Sequence, residues 1–357
     1  MVEIRDKLRS FIEDIRSSGL YRLPSERELA NRLGCSRMTV SKALAHMAGE
    51  GLIERRQGSG TYIVENSKDN RLFNIGICLR GRYHSKEQHF LRLISEVSRQ
   101  AQPLNLHLQI FDNLIDLFAR DRDNNTLMKS IRAGIVDALL FISRMPVHIV
   151  GAARNTGIPV ASVNGNAFGY MDIPSVCCDY YRVGFLAARH LIENGHKRIG
   201  LLTGRQMDHP ELLMSVSGLH SACEAMGVNA FNERGLCHYE SGDTRQLMRF
   251  IKQYKPTALY ARSDMIAARA LVELTSSGFS VPKDMSIVGT GNYSWGNQPT
   301  IGLTTIDTRL DEACTRGLKL IRTLALGDKA PTAVEMLGPT LIERQSVCEP
   351  ARRASTN

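Results

Sequence analysis

Between residues 22 and 63 the apolar positions mark out two short helices and then a ribbon. Leu29, Ala30 and Leu33 form one stripe at helical spacing, and Val40, Leu44 and Met47 form a second. Ser25 and Glu28, just after Pro24, have the spacing of a capping box that starts the first helix, and Gly34 is placed to stop it. Ser36 is placed to cap the second helix and Gly51 to end it. Residues 52–56 and 61–64 then read as strands joined across Gln57, Gly58, Ser59 and Gly60. Helix, tight turn, helix and β-ribbon make a winged helix-turn-helix. An earlier stripe within 1–19, with Ile4, Leu8, Phe11, Ile12 and Ile15, completes its three-helix core.

From residue 72 the pattern changes. Strand-like apolar runs at 73–79, 106–111, 136–142 and 159–163 alternate with helical spacing at 86–102, 124–133 and 146–156. A second series follows: helices 181–194, 211–226, 243–254 and 264–277, with strands 198–203, 258–261 and 286–289. Short apolar strands alternating with helices predict an α/β fold of parallel sheets covered on both faces. Two series predict two lobes with a cleft between them, bordered by the C-terminal ends of the strands. The polar run ENSKDNR at 65–71 separates the two patterns. The expected organisation is an α+β winged helix-turn-helix at 1–66, a linker at 67–72, a two-lobed domain at 73–350 and a tail at 351–357.

Composition changes this picture little. With 357 residues, 43% hydrophobic and 23% charged, the chain reads as an ordinary globular protein. The net charge of +9 is a weak sign of nucleic acid, because residues 1–66 hold 11 basic and 9 acidic side chains, a surplus of only 2. The 8 cysteines show no C-x-x-C spacing and are expected to be reduced thiols of a cytoplasmic protein. No apolar run reaches membrane length, and MVEIRDKLRS is not a signal peptide. The nucleophile-elbow, zincin and P-loop motifs are absent, so neither an enzyme nor a cofactor is expected. DRDNN at 121–125 lacks the glycine and the closing glutamate of a calcium loop, with Thr126 and Arg132 in those places. His196, within NGHKRIG, reads as structural.

The outer face of the second helix carries the chemistry. With Val40, Leu44 and Met47 inward, Arg37, Met38, Ser41 and Lys42 lie outward near its N-terminus, with Ser36 and Thr39 beside them. A recognition helix presents that end to the major groove, where its free N–H groups favour phosphate. Arg27 is placed to brace the backbone, and Arg55 and Arg56 with Gly58 and Gly60 form a thin basic wing. LPSERELA, SRMTVSKAL and EGLIERRQGSGTYI resemble the N-terminal domain of the GntR family of bacterial transcription regulators. The resemblance implies a double-stranded DNA operator and a regulator, expected to be a repressor. Many members carry arginine where this chain has Ser41, a difference that bears on which bases are read.

The remainder carries a second resemblance. GIPVASVNG, CDYYRVGFLAARHLIENGHKRIGLLTG, KPTALYARSDMIAARALVELTSSGFSVPKDMSIVGTGN, PTIGLTTID and LGPTLIERQSV are similar to the effector domain of lac-repressor-type regulators, itself built like periplasmic binding proteins. It implies a homodimer on an inverted repeat, controlled by a small-molecule effector. Three departures stand where that family grips sugar hydroxyls: Ser215 for the arginine of R-x-x-G, Ser263 beside Asp264 for Asn-Asp, and Gly291 beside Asn292 for an aspartate. They point to a sugar derivative or an anionic metabolite. The candidate effector residues are Arg80, Arg82, Arg144, Asn164, Arg205, Ser215, Ser263, Asp264, Asn292 and Trp295. The competing readings are a cytoplasmic ligand-binding protein of the same fold without a regulatory role, and a pyridoxal-phosphate aminotransferase, for which the lysine motif is missing.

Overall fold

The structure, a computed structural model, describes residues 7–8, 11–12, 15, 22–49, 52–56, 59–63, 72–80, 88–142, 144–165, 172–204, 210–239, 244–293, 302–330 and 334–350. The chain divides into two compact units, Met1–Leu72 and Phe73–Asn357.

In the first unit α1 (Glu26–Leu33) begins at Ser25, whose hydroxyl accepts the Glu28 N–H at 3.3 Å while the Ser25 N–H donates to the Glu28 carboxylate at 2.9 Å. These reciprocal bonds satisfy two donors that a helix start otherwise leaves to water. Gly34, at φ +64°, closes the helix and sends its N–H to the Ala30 carbonyl. α2 (Arg37–Gly49) starts where the Ser36 hydroxyl accepts the Thr39 N–H at 3.1 Å. β1 (Ile53–Arg56) and β2 (Gly60–Ile63) pair antiparallel, with Arg56 opposite Gly60. Leu8, Ile12, Leu23, Leu29, Val40, Leu44, Met47, Ile53 and Ile63 are buried together as one small core.

The second unit holds two six-stranded sheets. The first contains β3 (Phe73–Leu79), β4 (Leu106–Phe111), β5 (Ala138–Ile142), β6 (Val160–Val163), β7 (Ser175–Cys178) and β13 (Val334–Leu337), in the order β13-β7-β6-β5-β3-β4. The second contains β8 (Ile199–Thr203), β9 (Leu236–His238), β10 (Ala258–Ala261), β11 (Ser286–Thr290), β12 (Thr304–Asp307) and β14 (Thr340–Ile342), in the order β14-β12-β11-β10-β8-β9. Pairing is parallel except between β12 and β14.

Helices cover both faces of each sheet. In the first lobe α3 (Gln88–Ala101) packs on one face, and α4 (Leu114–Arg120), α5 (Thr126–Arg132) and α6 (Val147–Arg154) on the other. In the second lobe α7 (Tyr180–Glu193) and α8 (Pro210–Ala225) cover one face, α9 (Thr244–Tyr254) and α10 (Asp264–Ser276) the other. α11 (Leu310–Ala325) returns to the first lobe beside α3. The chain therefore passes between lobes after β7, after β12 and between β13 and β14. α7 and α8 touch backbone to backbone: a Cβ on Gly184 would lie 1.8 Å from the Ser215 carbonyl oxygen, and one on Gly218 1.8 Å from that of Tyr181.

Candidate DNA interface and effector cleft

In the first unit the site is organised by one carboxylate. Glu26, on the first turn of α1 and 18% exposed, faces Arg37 Nε at 3.4 Å and makes a close ion pair with Arg55. It thus joins the N-terminus of α2 to β1, an arrangement hidden in the sequence because its three members lie far apart. Met38 is 68% exposed on the same helix. Arg27, Ser36, Arg37 and Lys42 are exposed, while Thr39 and Ser41 are half-buried. Arg56 pairs with Glu54 at 3.0 Å and lies 4.8 Å from the centre of the Tyr62 ring. Gly60 takes φ +122°, a conformation that only glycine adopts readily. Gly58 lies outside the described residues. An exposed helix N-terminus flanked by cations, with a basic ribbon beside it, suits a duplex groove and its phosphates.

In the second unit the candidate residues sit at strand C-terminal ends: Arg80 after β3, Arg144 after β5, Asn164 after β6, Ser263 and Asp264 after β10, and Asn292 after β11. Four of the candidates are committed to internal bonds. The Ser215 hydroxyl bonds the Tyr260 hydroxyl at 2.8 Å. Ser263 caps α10, accepting the Ile266 N–H at 3.2 Å. Asp264 is 0% exposed and accepts the Tyr293 N–H at 2.8 Å and the Thr305 hydroxyl at 2.5 Å. Burial raises its pKa, with those two bonds acting the other way. Only glycine fits at Gly289, where a Cβ would lie 2.2 Å from that carboxylate. Asn292 donates to Asp307 at 3.0 Å and accepts from Arg344 at 2.8 Å.

Asn164 differs. Its Oδ1 accepts the Cys178 N–H at 3.3 Å, but among the described residues its buried Nδ2 has no partner, and neither has the buried hydroxyl of Thr203 at the end of β8. Buried donors without partners are uncommon, and a bound molecule is one way to satisfy them. Two residues outside the sequence-derived set belong here. Burial raises the pKa of Glu211, at the start of α8, while the Arg262 and Arg144 guanidiniums oppose the rise. One acid thus feels a cation from its own lobe and one from the other. Their segments are too far apart for any sequence spacing to disclose this. Arg82, Arg205 and Trp295 lie outside the described residues.

Elsewhere, burial pushes the His196 pKa down to about 4, so the imidazole is neutral near pH 7; its Nδ1 meets the Thr257 hydroxyl at 3.0 Å. All eight cysteines are free thiols, Cys177 and Cys178 among the buried ones. Among the described residues no helix is long and apolar enough to cross a membrane.

The family model for bacterial regulatory proteins of the gntR family matches residues 2–63, and that for the periplasmic binding protein-like domain matches 188–347. The chain is 25% identical over 323 residues to the arabinose metabolism transcriptional repressor of Geobacillus stearothermophilus, covering 85% of each. It is 23% identical over 336 residues to the transcriptional repressor PurR of Serratia proteamaculans, covering 90% of this chain and 96% of that one. The crystal structure of the transcription regulator CcpA of Lactococcus lactis aligns with a TM-score of 0.65 at 20% identity, over 78% of this chain and 100% of that one. The chain is an effector-controlled transcription regulator, with a gntR-type helix-turn-helix domain joined to a periplasmic-binding-protein-like effector domain.

Proposed function

We propose that the chain represses transcription in the cytoplasm as a homodimer on an inverted-repeat operator, and that a small molecule carrying an anionic group, bound between the lobes, sets its affinity. The observation that carries the DNA half is the outer face of α2, where Arg37 and Lys42 are exposed beside the helix start and Glu26 holds Arg37 next to the ribbon. One such head reads few bases, which favours a pair of heads on two half-sites. Ile110, 50% exposed on the edge strand β4, supports pairing through that side of the first lobe. Arg37→Ala should weaken operator binding by about 1–3 kcal/mol and leave the fold intact. Titration of a duplex selected by the wild-type chain measures both that loss and the stoichiometry. A folded variant binding as tightly as wild type would remove Arg37 from the interface, and one chain per duplex would remove the dimer.

For the effector, Arg144, Arg262 and Glu211 supply charge of both signs, and Asn164 and Thr203 supply polar groups that have no partner among the described residues. Such a set suits an anionic ligand that also carries hydrogen-bonding groups. A hundredfold change in operator affinity needs about 2.7 kcal/mol of differential binding, an ordinary coupling free energy. In a thermal-shift screen, sugar phosphates and sugar acids should raise the melting temperature more than neutral sugars do. A strong shift from a neutral pentose or hexose, with none from the anionic set, would reverse this assignment.

A further inference from the structure

We propose that Arg22 is a DNA-contacting residue of the ribbon and that its guanidinium takes a backbone phosphate. The proposal rests on the DNA-binding reading above. Arg22 lies just before the LPSERELA segment, outside both helices and both strands of the motif. It nevertheless forms an antiparallel bridge with Tyr62, and the Leu23 N–H donates to the Thr61 carbonyl at 2.9 Å. Residues 22 and 23 therefore lie alongside β2, joined to it by this single bridge.

That placement brings the side chain to the ribbon's turn. Arg22 Nη2 donates to the Ser59 carbonyl at 3.0 Å, and Cζ lies 5.9 Å from the centre of the Tyr62 ring. A Cβ added to Gly60 would sit 3.3 Å from Arg22 Nε, so the glycine leaves the guanidinium room to lie against the turn. Tyr62 is itself fixed there by a 2.8 Å bond between its hydroxyl and that of Ser59.

The other arginines of the ribbon are compensated. Arg55 is ion-paired with Glu26, and Arg56 with Glu54 at 3.0 Å. Arg22 is exposed and makes no ion pair among the described residues. It therefore gives the turn a positive charge that no carboxylate among the described residues pairs with. A guanidinium has five N–H donors, and a carbonyl bond leaves several for a phosphate. Held already by Ser59 and Tyr62, it loses little freedom on meeting the duplex.

A clamp that merely shapes the turn would also bond Ser59, so the test must separate charge from shape. Binding of the full-length chain is measured by fluorescence anisotropy across a salt series. One 30-base-pair duplex is selected from a random pool by the wild-type chain, and the other has unrelated sequence. Arg22→Gln should weaken binding to both duplexes by a similar factor, roughly tenfold at low salt. The slope of log affinity against log salt should become shallower by about 0.9, the signature of one lost phosphate contact. Arg22→Lys keeps the charge and should recover the wild-type slope. Wild-type affinity in Arg22→Gln, a loss with the slope unchanged, or failure of Arg22→Lys to recover the slope each overturns the proposal. A wild-type chain that binds neither duplex overturns the DNA-binding reading itself, and this proposal with it.

Discussion

Gly218→Ala should lower the stability of the second lobe by at least the ~3 kcal/mol that marks the upper end of ordinary overpacking. The reason is the kind of atom the new methyl meets. A Cβ at Gly218 lies 1.8 Å from the Tyr181 carbonyl oxygen and 2.9 Å from the Phe185 nitrogen, both backbone atoms of α7. A side chain can rotate away; a helix backbone moves only as a body. Separating α7 from α8 would open one face of the second sheet, where Val183, Ala187 and Leu191 pack with Leu212, Leu219 and Ala222. Gly184 makes the reciprocal approach, so the crossing has no slack on either side. Gly151→Ala is the control. That residue lies within α6 with open space around its missing Cβ, so alanine should stabilise by up to ~1 kcal/mol. Urea unfolding of the full-length variants, followed by circular dichroism, measures both. A wild-type midpoint for Gly218→Ala would mean that the two helices are not held at this distance in solution.

The helix-turn-helix was legible because its signals are local. The capping box spans four residues, Gly34 follows its helix directly, and the stripes recur within two turns. The sheets were legible where strands are mostly apolar, as in β3, FNIGICL, and β5, ALLFI. The same rule passes over β7, SVCC, and β12, TTID, which are buried although they look mixed. Their polar atoms find partners from afar: Thr305 donates to Asp264, and the Thr304 hydroxyl accepts the Arg344 N–H at 3.0 Å. α11 is a different case. Leu310, Cys314, Leu318 and Ile321 form a clear helical stripe, which the sequence reading omits by ending its alternation at residue 289.

In the cleft, Ser263, Asp264 and Asn292 follow strands and Ser215 lies within α8, but the sequence could not show what they bond. Each meets a partner from the protein itself, and residue spacing carries no information on bonds such as Asp264 to Thr305. Glu211 and Arg262 were missed for the same reason. Arg22 was missed because the motif begins one residue after it, and only the pairing of residues 22 and 23 with β2 brings it to the turn.

Arg92→Ala should free the segment after β11 from the first lobe. Arg92 projects from α3, and its Nη1 donates to the Gly291 carbonyl at 2.9 Å and the Asn292 carbonyl at 3.1 Å, both in the second lobe. Its Nη2 donates to Asp311 on α11 at 2.9 Å, and Cζ lies 5.7 Å from the centre of the Tyr293 ring. The segment so gripped is also fixed from behind, since Asn292 bonds Asp307 and Arg344 and the Tyr293 N–H bonds Asp264. One side chain therefore ties a helix of the first lobe to a well-anchored part of the second, and the lobes cannot reorient there without breaking its bonds. Arg92 is 27% exposed and Asp311 55%, so the ion pair is the weaker component and the two carbonyl bonds the stronger. Truncation should cost roughly 2–4 kcal/mol locally, whereas Asp311→Asn should cost at most ~1 kcal/mol. Hydrogen exchange of the full-length chain reads the difference directly: the amides of Asn292 and Tyr293 should exchange about 30-fold faster or more in Arg92→Ala, and only a few-fold faster in Asp311→Asn. Because the proposed effector site lies between the lobes, binding there would work against or with this tie, and the variant should also bind its effector with changed affinity even though α3 lies outside the candidate contacts. Exchange within twofold of wild type would show that Asp307, Arg344 and Asp264 hold the segment without help from the first lobe.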